Sequence, residues 1–590
     1  MKKTIQRTCG ILAVFAVVNF SLFGCGLRDQ LNSQQEVNKD RTQLYIGLGT
    51  NGLTKWMNDQ IEKFEAAYAD VSFEEGKKGV QVFFQYDEKF SNFDTLPKNY
   101  TGYQEKLIIT ENIPYTTVKD FALDITDLAI SPLNVNPVTG ETEGEETASI
   151  ADKMLPQFKE YYGADDRYYA LPAQECALGL VYDADLFDEY GLYFANAETE
   201  NFYEYECENV YTGETGLYRF VDGAWDESDL AYGPDGEAGT FDDGLPATYE
   251  EFFALCDYMY REYGVEPVRW AGKVQSYLTS FLEALAAEFE GDEYLLKTNF
   301  NGTAHNLVKF DEQGKMVFDA SGDPETYSLE ITGENGYMLT RQEGFYQALK
   351  FLETLMNSPY YDKDQCVNGT SSHLTTQSKY LLSKHDPKVN TIAMLIEGSW
   401  WYGEADSTFT DMAQKYGEKW SAENRRFRYL PIPKVSEEEI GSQQSTIMCL
   451  NMSTFITDDI DEVQEKVAKL FLKNIFRREG LLNFMRITGQ MRPYTIELTE
   501  EEYGSLTEFG RSNYDLHTNT EILFKPSYNS LYLANNGLLD SSYNFHWEAP
   551  EGSVPTDVIR SGYSAEEYFE SINGYWTQER WDIYFKDICY

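Results

Sequence analysis

The chain has 590 residues, with 48 Lys plus Arg against 98 Asp plus Glu, so its formal net charge is −50. This charge excludes non-specific binding to nucleic-acid phosphates, which needs Lys and Arg to displace counterions, and anionic lipid headgroups repel it for the same reason. The hydrophobic fraction of 42% is too high for a disordered acidic tail. The length predicts two to four domains or two large lobes. The five histidines are widely spread, which argues against a His-rich metal centre.

The N-terminus has the pattern of a secretion signal. Lys2 and Lys3 precede the apolar stretch Ile11–Phe23, which is too short to span a bilayer. The stretch ends in Leu22-Phe23-Gly24-Cys25, which resembles a bacterial lipobox and implies cleavage before Cys25 and lipidation of its thiol. An ordinary signal peptide, or an uncleaved anchor with an incidental cysteine, is the alternative.

The segment after the leader is polar and lacks aromatic residues. We therefore predict a signal peptide over 1–24 and a flexible tether over 25–40. This arrangement places the body on the extracellular face of the bacterial cytoplasmic membrane, held there by a lipid anchor. The six cysteines that remain in the body show no CxxC spacing, so disulfides and buried free thiols both stay open. They are Cys176, Cys207, Cys256, Cys366, Cys449 and Cys589.

The body opens with a strand–helix–strand pattern. Thr42–Leu48 predicts a buried strand, Thr54–Tyr68 an amphipathic helix and Val80–Tyr86 a second strand. Such a unit implies a parallel sheet. The alternation continues along the chain, with strands predicted at Leu178–Tyr182 and Thr391–Ile396. Further helices are predicted at Tyr249–Tyr263, Gly344–Met356 and Glu462–Phe476, the first opened by Thr248 and Glu251 as a capping box.

Two stretches interrupt this alternation. Asn134–Ser149 is polar and acidic and predicts a surface loop, whereas Phe194–Leu245 predicts a β-hairpin insertion. Gly233–Gly244 in that insertion is rich in Asp and Gly, which favours a hairpin tip. A weaker alternative is a Ca²⁺ site, although the spacing does not match an EF-hand loop. Its carboxylates would be those of Asp235, Glu237, Asp242 and Asp243.

Gly47, Gly49 and Gly52 form a GxGxxG between the first strand and the first helix. This pattern is part of a dinucleotide-binding signature, but the acidic residue that should follow by about 20 positions is Asp87, 35 positions after Gly52. We favour a tight turn that lets the backbone approach a ligand or the next element. No cofactor is therefore expected.

A series of short motifs follows in a fixed order, and it includes Y-A-L-P, G-L-V-Y, P-A-T-Y-E-E-F and E-G-S-W. They start at Tyr169, Gly179, Pro246 and Glu397, and the series ends with Leu430-Pro431-Ile432-Pro433. This order resembles the extracellular solute-binding proteins of carbohydrate ABC transporters, the maltose-binding-protein-like group known as solute-binding family 1. The resemblance covers the chain from Thr42 to the C-terminus, loosely across the two interruptions.

The resemblance implies an α/β, two-lobed, periplasmic-binding-protein-like fold with a ligand cleft between the lobes. It assigns residues 41–172 and 434–488 to an N-terminal lobe and 173–433 and 489–590 to a C-terminal lobe, with the insertion at about 194–245. It implies hinge closure around the solute, for which an oligosaccharide is the expected class, and delivery to ABC permease subunits by a monomer.

Candidate ligand-binding residues follow from the chemistry of sugars, which offer an apolar face and a rim of hydroxyls. Several aromatic, acidic and basic residues lie after predicted strands or at a predicted crossing between lobes, where ligands of open α/β sheets bind. A position in the core is the alternative for each ring. The candidates are Trp270, Trp400, Trp401, Tyr115, Tyr277, Asp87 and Arg492.

An enzyme is the rival class. The sequence contains neither HExxH nor GxSxG, so it lacks these zincin and hydrolase motifs. A lipid-anchored glycoside hydrolase needs only two suitably spaced carboxylates, and it stays open as an alternative. A binding protein for peptides or other small solutes is a further alternative, because related lobes serve many solutes.

Overall fold

The computed structural model describes residues 36–589 apart from 51, 93, 112, 114, 164–165, 449–451 and 525–544. The signal peptide, the lipidation site at Cys25 and most of the predicted tether lie outside these residues and stay predictions. In the described part of the chain, no helix is both long and apolar enough to cross a bilayer. Four cysteines in the described part of the chain are buried free thiols: Cys176, Cys207, Cys256 and Cys366.

The strands are short and mostly buried. They are β1 (Thr42–Leu48), β2 (Val80–Tyr86), β3 (Leu107–Glu111), β4 (Leu171–Pro172), β5 (Leu178–Asp183), β6 (Phe202–Glu208), β7 (Thr215–Val221), β8 (Glu266–Arg269), β9 (Gly302–Val308), β10 (Thr326–Ile331), β11 (Ile392–Gly398), β12 (Phe427–Leu430), β13 (Ser445–Met448), β14 (Met452–Ile456) and β15 (Glu521–Phe524).

The helices alternate with these strands. They are α1 (Thr54–Ala67), α2 (Leu96–Asn99), α3 (Tyr115–Val118), α4 (Thr126–Ile130), α5 (Ile150–Lys153), α6 (Pro156–Tyr162), α7 (Ala184–Tyr190), α8 (Tyr249–Tyr263), α9 (Ser276–Glu290), α10 (Leu296–Asn299), α11 (Glu343–Asn357), α12 (Lys363–Cys366), α13 (His373–Leu382), α14 (Trp401–Glu404), α15 (Asp406–Tyr416), α16 (Glu462–Phe476), α17 (Arg478–Thr488), α18 (Glu500–Gly504), α19 (Glu508–Asn519), α20 (Pro555–Arg560), α21 (Ala565–Tyr575) and α22 (Gln578–Cys589).

The N-terminal lobe is built on a sheet with the strand order β2-β1-β3-β14-β4. Strands β1, β2 and β3 are parallel, as the strand–helix–strand pattern predicts, whereas β14 runs antiparallel to β3. The pairing of Leu48 with both Tyr86 and Ile109 aligns the carboxyl ends of the parallel strands at one edge. This edge is where an open sheet presents side chains to a ligand.

The C-terminal lobe is built on a second sheet with the order β12-β5-β11-β8. Strands β8 and β11 are parallel, and β5 is antiparallel to both of its neighbours, β11 and β12. Each sheet has its own hydrophobic core. The α/β class and the two-lobed arrangement predicted from the sequence are therefore confirmed, whereas the domain boundaries stay a prediction.

Helix α8 shows how local sequence sets an element. Thr248 caps it, because the side-chain oxygen accepts the N–H of Glu251 at 3.2 Å. The predicted reciprocal bond of the capping box is not formed, since the Glu251 carboxylate accepts instead from the N–H of Ala247 at 2.7 Å. The helix ends at Gly264, which adopts the left-handed conformation that a C-terminal glycine permits.

The insertion contains the predicted hairpin, formed by β6 and β7. It packs on α8 through the stacked rings of Phe220 and Tyr258, whose centroids are 4.1 Å apart. The Tyr205 hydroxyl also donates to the buried Asp257 carboxylate at 2.7 Å. The insertion is thus an integral part of the C-terminal lobe.

The chain crosses between the lobes near residues 173–177. The N–H of Ala173 bonds Met452 in the N-terminal lobe, whereas the carbonyl of Ala177 accepts from Ser399 in the C-terminal lobe. Glu175 in this segment lies 2.7 Å from the Nδ1 of His517 on α19, and both side chains are buried. This ion pair attaches the crossing segment to α19. That helix follows residues 489–494, where the resemblance implies that the chain crosses between the lobes again.

Candidate functional site

Trp400 lies where the two lobes meet. It follows β11 directly, is half-buried, and packs against the hydrophobic cores of both lobes. A side chain at Gly398 would overlap the indole, so glycine at this position allows the ring to lie over the strand end. Nearby, a Cβ added at Gly403 would be 2.9 Å from the carbonyl oxygen of Gly52, which shows how closely the lobes approach beside the tryptophan.

Two more rings form a wall with Trp400. The indole Nε1 donates to the hydroxyl of Tyr277 on α9 at 3.3 Å, and the two rings meet edge to face with centroids 6.0 Å apart. Tyr277 also stacks on His373 at the start of α13, at 6.1 Å. The structure therefore brings together two residues, Trp400 and Tyr277, that the sequence nominated from separate motifs.

Carboxylates line the C-terminal lobe beside this wall. Glu397 ends β11 and is 1% exposed, and Glu404 ends α14 with a side chain 15% exposed. The Gln377 amide nitrogen donates to both, at 3.3 Å to Glu397 and 2.8 Å to Glu404. Burial, followed by the charge of Glu404, raises the pKa of Glu397 to about 8.

A third carboxylate, on the N-terminal lobe, lies close enough to Glu404 to feel its charge. Glu111 ends β3, and burial followed by the charge of Glu404 raises its pKa to about 7. Burial also raises the pKa of Glu404, which hydrogen bonding by Gln377 and the charge of His373 oppose. We call Glu111, Glu397 and Glu404 the cleft carboxylates. The sequence analysis selected none of these three residues. Glu111 and Glu397 each lie at the end of a mostly apolar strand, and this position is the signal that could have identified them.

Asp87 and Tyr86 lie at the end of β2. The Asp87 carboxylate accepts the N–H of Lys89 at 2.9 Å, which caps the turn that follows the strand. Tyr86 is 37% exposed, and burial followed by the charges of Glu88, Glu111 and Glu404 raises the pKa of its hydroxyl. Tyr86 therefore faces the cleft carboxylates, and Asp87 lies at the edge of the same region as a turn cap.

The other nominated residues are buried inside the lobes. Trp270 is 0% exposed and stacks on Tyr361 with centroids 4.9 Å apart, while Trp401 is 0% exposed in an aromatic cluster that includes Phe427 and Phe509. These rings follow strands as predicted, but they point into the core. The alternative interpretation, a position in the core, therefore applies to both.

Tyr115 and Arg492 are also interior groups. The Tyr115 hydroxyl donates to the carbonyl of Tyr162 at 2.7 Å. The Arg492 guanidinium, 3% exposed, donates to the carbonyls of Ala173 and Ile475 at 2.5 and 2.9 Å. Arg492 thus ties the first crossing to α16, and its role in this structure is to hold the crossing segments together.

Packing explains the first two glycines of the GxGxxG. A Cβ at Gly47 would lie 2.7 Å from the ring of Phe90, and one at Gly49 would overlap the side chain of Thr110. Glycine is needed here for close packing within the lobe, and the dinucleotide interpretation is not required. At Gly52 the backbone approaches the other lobe, in agreement with the interpretation of the motif as a tight turn that allows close approach of the backbone.

The acidic tip of the insertion uses its carboxylates to hold its own backbone. Asp242 accepts from the N–H of Asp235 at 3.1 Å, Asp235 from Glu237 at 2.8 Å, and Asp243 from Gly239 at 2.7 Å. Within the described residues, no group of three or more His, Cys, Asp or Glu side chains is placed to hold a metal ion. The hairpin-tip interpretation describes this loop, and the Ca²⁺ candidate gains no support.

Comparisons with known proteins give distant structural similarity alone. No protein-family model matches the chain, and no curated protein sequence matches it. Among solved structures, a chitin oligosaccharide binding protein is 12% identical, with 92% of this chain and 99% of that chain covered and a TM-score of 0.49. Maltose-bound T. maritima MalE3 is 13% identical, with 92% and 100% covered and a TM-score of 0.49. The manno-oligosaccharide binding protein BlMnBP2 of Bifidobacterium animalis subsp. lactis, in complex with mannotriose, is 11% identical, with 93% and 95% covered and a TM-score of 0.49. At these scores the similarity assigns no ligand to this chain.

Proposed function

We propose that the chain is an extracellular solute-binding protein that captures an oligosaccharide between its lobes and delivers it to an ABC importer. The observation that carries the proposal is the position of Trp400, a half-buried ring in contact with both cores at the carboxyl end of β11. A flat ring is suited to the apolar face of a sugar. The surrounding carboxylates, the Gln377 amide and the Tyr277 hydroxyl are suited to its hydroxyls.

Capture follows from the two-lobed arrangement. A ligand that touches Trp400 and Glu404 on one lobe and Glu111 on the other makes its full set of contacts when the lobes are closed. Binding therefore shifts the population towards the closed form. Anchoring through Cys25 would hold the protein at the extracellular face of the cytoplasmic membrane, close to the permease subunits that receive the solute.

One observation favours a second candidate, a lipid-anchored glycoside hydrolase. Glu111 and Glu404 face each other from opposite lobes, and the raised pKa of Glu111, about 7, suits a general acid. We favour binding because Glu404 is held by Gln377 and because Glu111 and Glu404 belong to opposing, separately folded lobes.

Thermal unfolding of the purified protein against mono- and oligosaccharides, with product analysis of every hit, separates these candidates. A ligand at 100 times its Kd stabilises the folded state by about 2.7 kcal/mol, which is readily visible as a rise in the midpoint. A rise with the sugar recovered intact supports the proposal. A rise with the sugar cleaved establishes the hydrolase, and no rise with any sugar refutes carbohydrate binding and directs the search to peptides or other solutes.

A further inference from the structure

The cleft carboxylates have no strong cation beside them. Within the part of the chain that the structure describes, no lysine or arginine forms an ion pair with Glu111, Glu397 or Glu404. The nearest basic side chain is His373, whose Nε2 lies 3.9 Å from Glu404. At the rim, Lys55 is engaged elsewhere, at 3.8 Å from Asp406 and 3.6 Å from Glu423.

This arrangement opposes closure of the empty protein. Glu111 belongs to one lobe and Glu404 to the other, so approach of the lobes brings like charges together in a region sheltered from water. Of the neighbouring titratable groups, Tyr86, Tyr277, Asp87 and Glu88 are neutral or acidic, and His373 beside Glu404 supplies positive charge when it is protonated. Burial, followed by the charge of Glu404, raises the pKa of both Glu111 and Glu397. The missing component is a cation.

An unpaired acceptor lies among these carboxylates. Gln377 is 1% exposed, and its amide group lies between Glu397 and Glu404. The nitrogen donates to both, whereas the buried Oε1 finds no donor among the described residues. A buried amide oxygen without a donor is costly, and a ligand that supplies an N–H removes that cost.

We propose that the solute carries a protonated amine, and that within an oligosaccharide-binding cleft this means an oligosaccharide of amino sugars. The inference rests on the proposed function. An ammonium has three donors and no acceptor, which matches the acceptors offered by Glu111, Glu404 and Gln377. The face of Trp400 attracts the same positive charge. The amine neutralises the repulsion between the lobes, so closure is coupled to the charge of the ligand as well as to its shape.

The test compares glucosamine trisaccharide with its N-acetylated counterpart, in which each ammonium is replaced by a neutral and larger acetamide. Titration calorimetry of the full purified protein at pH 6.5 is expected to show binding of the amino trisaccharide at least about tenfold tighter, because each charged hydrogen bond that is lost is costly. In two buffers of different ionisation enthalpy, the amino ligand is expected to displace protons from the cleft carboxylates. The acetylated ligand is expected to release fewer protons.

Glu404→Gln and Glu111→Gln keep the shape of each side chain and remove its charge. Each is expected to abolish most of the preference for the amino trisaccharide, measured as the ratio of the two affinities, and circular dichroism verifies folding. Glu423→Gln is the matched control, because this rim carboxylate is 62% exposed and pairs with Lys55. It is expected to keep the preference.

The outcomes separate the inference from the function on which it rests. Equal binding of the two trisaccharides, or tighter binding of the acetylated one, overturns the amine proposal and leaves oligosaccharide binding intact. Failure of both trisaccharides and of neutral sugars overturns the proposed function. Binding of spermidine with no binding of any saccharide overturns both, because the cation would then not be part of a sugar.

Discussion

Two groups of sheltered acids in this protein differ in whether a lysine or arginine accompanies them. Glu288 on α9 and Lys434 form an ion pair with side chains 3% and 2% exposed, and the N–H of Ser445 donates to the same carboxylate at 2.6 Å. At the junction of the lobes, Glu111, Glu397 and Glu404 lack such partners. A buried charge left without a partner is destabilising, so the Glu288–Lys434 pair serves the fold, whereas a cationic ligand is the partner that we propose for the cleft carboxylates.

The largest effect is expected from breaking the interior pair. Lys434→Met leaves Glu288 buried without its cation and is expected to lower the free energy of unfolding by about 3–5 kcal/mol. Denaturant titration at pH 7.5 measures the loss. A change smaller than 1 kcal/mol would contradict the view that Glu288 depends on Lys434.

The next effect concerns the two tryptophans that the sequence treated alike. Trp400→Ala is expected to weaken oligosaccharide binding by about 100-fold, or about 2.8 kcal/mol, because it removes the ring between the lobes. Trp270→Ala is the matched variant, since its ring is buried beside Tyr361, and it is expected to cost about 3–5 kcal/mol of stability as a large-to-small core substitution. Binding titrations and thermal unfolding of both variants check this. The assignment of Trp400 to the ligand site and of Trp270 to the core would be reversed by one result. In that result the folded Trp270 variant binds the sugar weakly, whereas the Trp400 variant binds it normally.

A smaller effect is expected from the pH dependence of the empty protein. The folded-state pKa of Glu397, about 8, is above the ordinary value of 4.5, so the folded state binds the proton more tightly. Its contribution to stability is fully present below pH 4.5 and is lost as the pH rises through 8. Glu397→Gln is expected to raise the free energy of unfolding by about 1–2 kcal/mol at pH 8 relative to pH 5. If Glu397→Gln and the unmodified protein showed the same slope of unfolding free energy against pH between 5 and 8, the raised pKa of Glu397 would be refuted.

The smallest effect is expected at an exposed ion pair. Lys309 and Glu325 lie 3.0 Å apart, with side chains 44% and 42% exposed. Lys309→Met is expected to change the free energy of unfolding by about 1 kcal/mol or less, because water screens the pair. Denaturant titration beside Lys434→Met measures the contrast, and similar losses in the two variants would show that burial does not set the energy of these pairs.

The sequence predicts the scaffold of the site better than the site itself. Apolar runs placed β1, β2 and α16 at or near their observed bounds, because local hydrophobic periodicity and helix caps determine them. The same patterns located the carboxyl end of β11, and with it Trp400. Tyr277 was found in the same way, from its position at the start of a helix after a strand.

What the sequence could not show is the direction in which a ring turns after its strand. Trp400 and Trp401 are adjacent, yet one contacts both lobes and the other is enclosed by aromatic rings of the C-terminal lobe. The proximity of Glu111 to Glu404 depends on how the two separately folded lobes meet. No local sequence pattern encodes that arrangement. Gln377 was missed because a polar residue inside a helix has no distinguishing sequence signal.

Hydrogen exchange of the protein with and without a bound oligosaccharide tests the central claim most directly. The account predicts new protection in peptides that cover residues 86–90, 107–111, 373–377 and 397–404, on both lobes at once. A cavity of about 380 Å³ elsewhere on the C-terminal lobe, against the insertion, provides the comparison. It is lined by Tyr190, Tyr203, Trp225 and Tyr263 among others. Protection confined to that cavity, with no change at 107–111 and 397–404, would contradict the assignment of the ligand to the junction of the lobes.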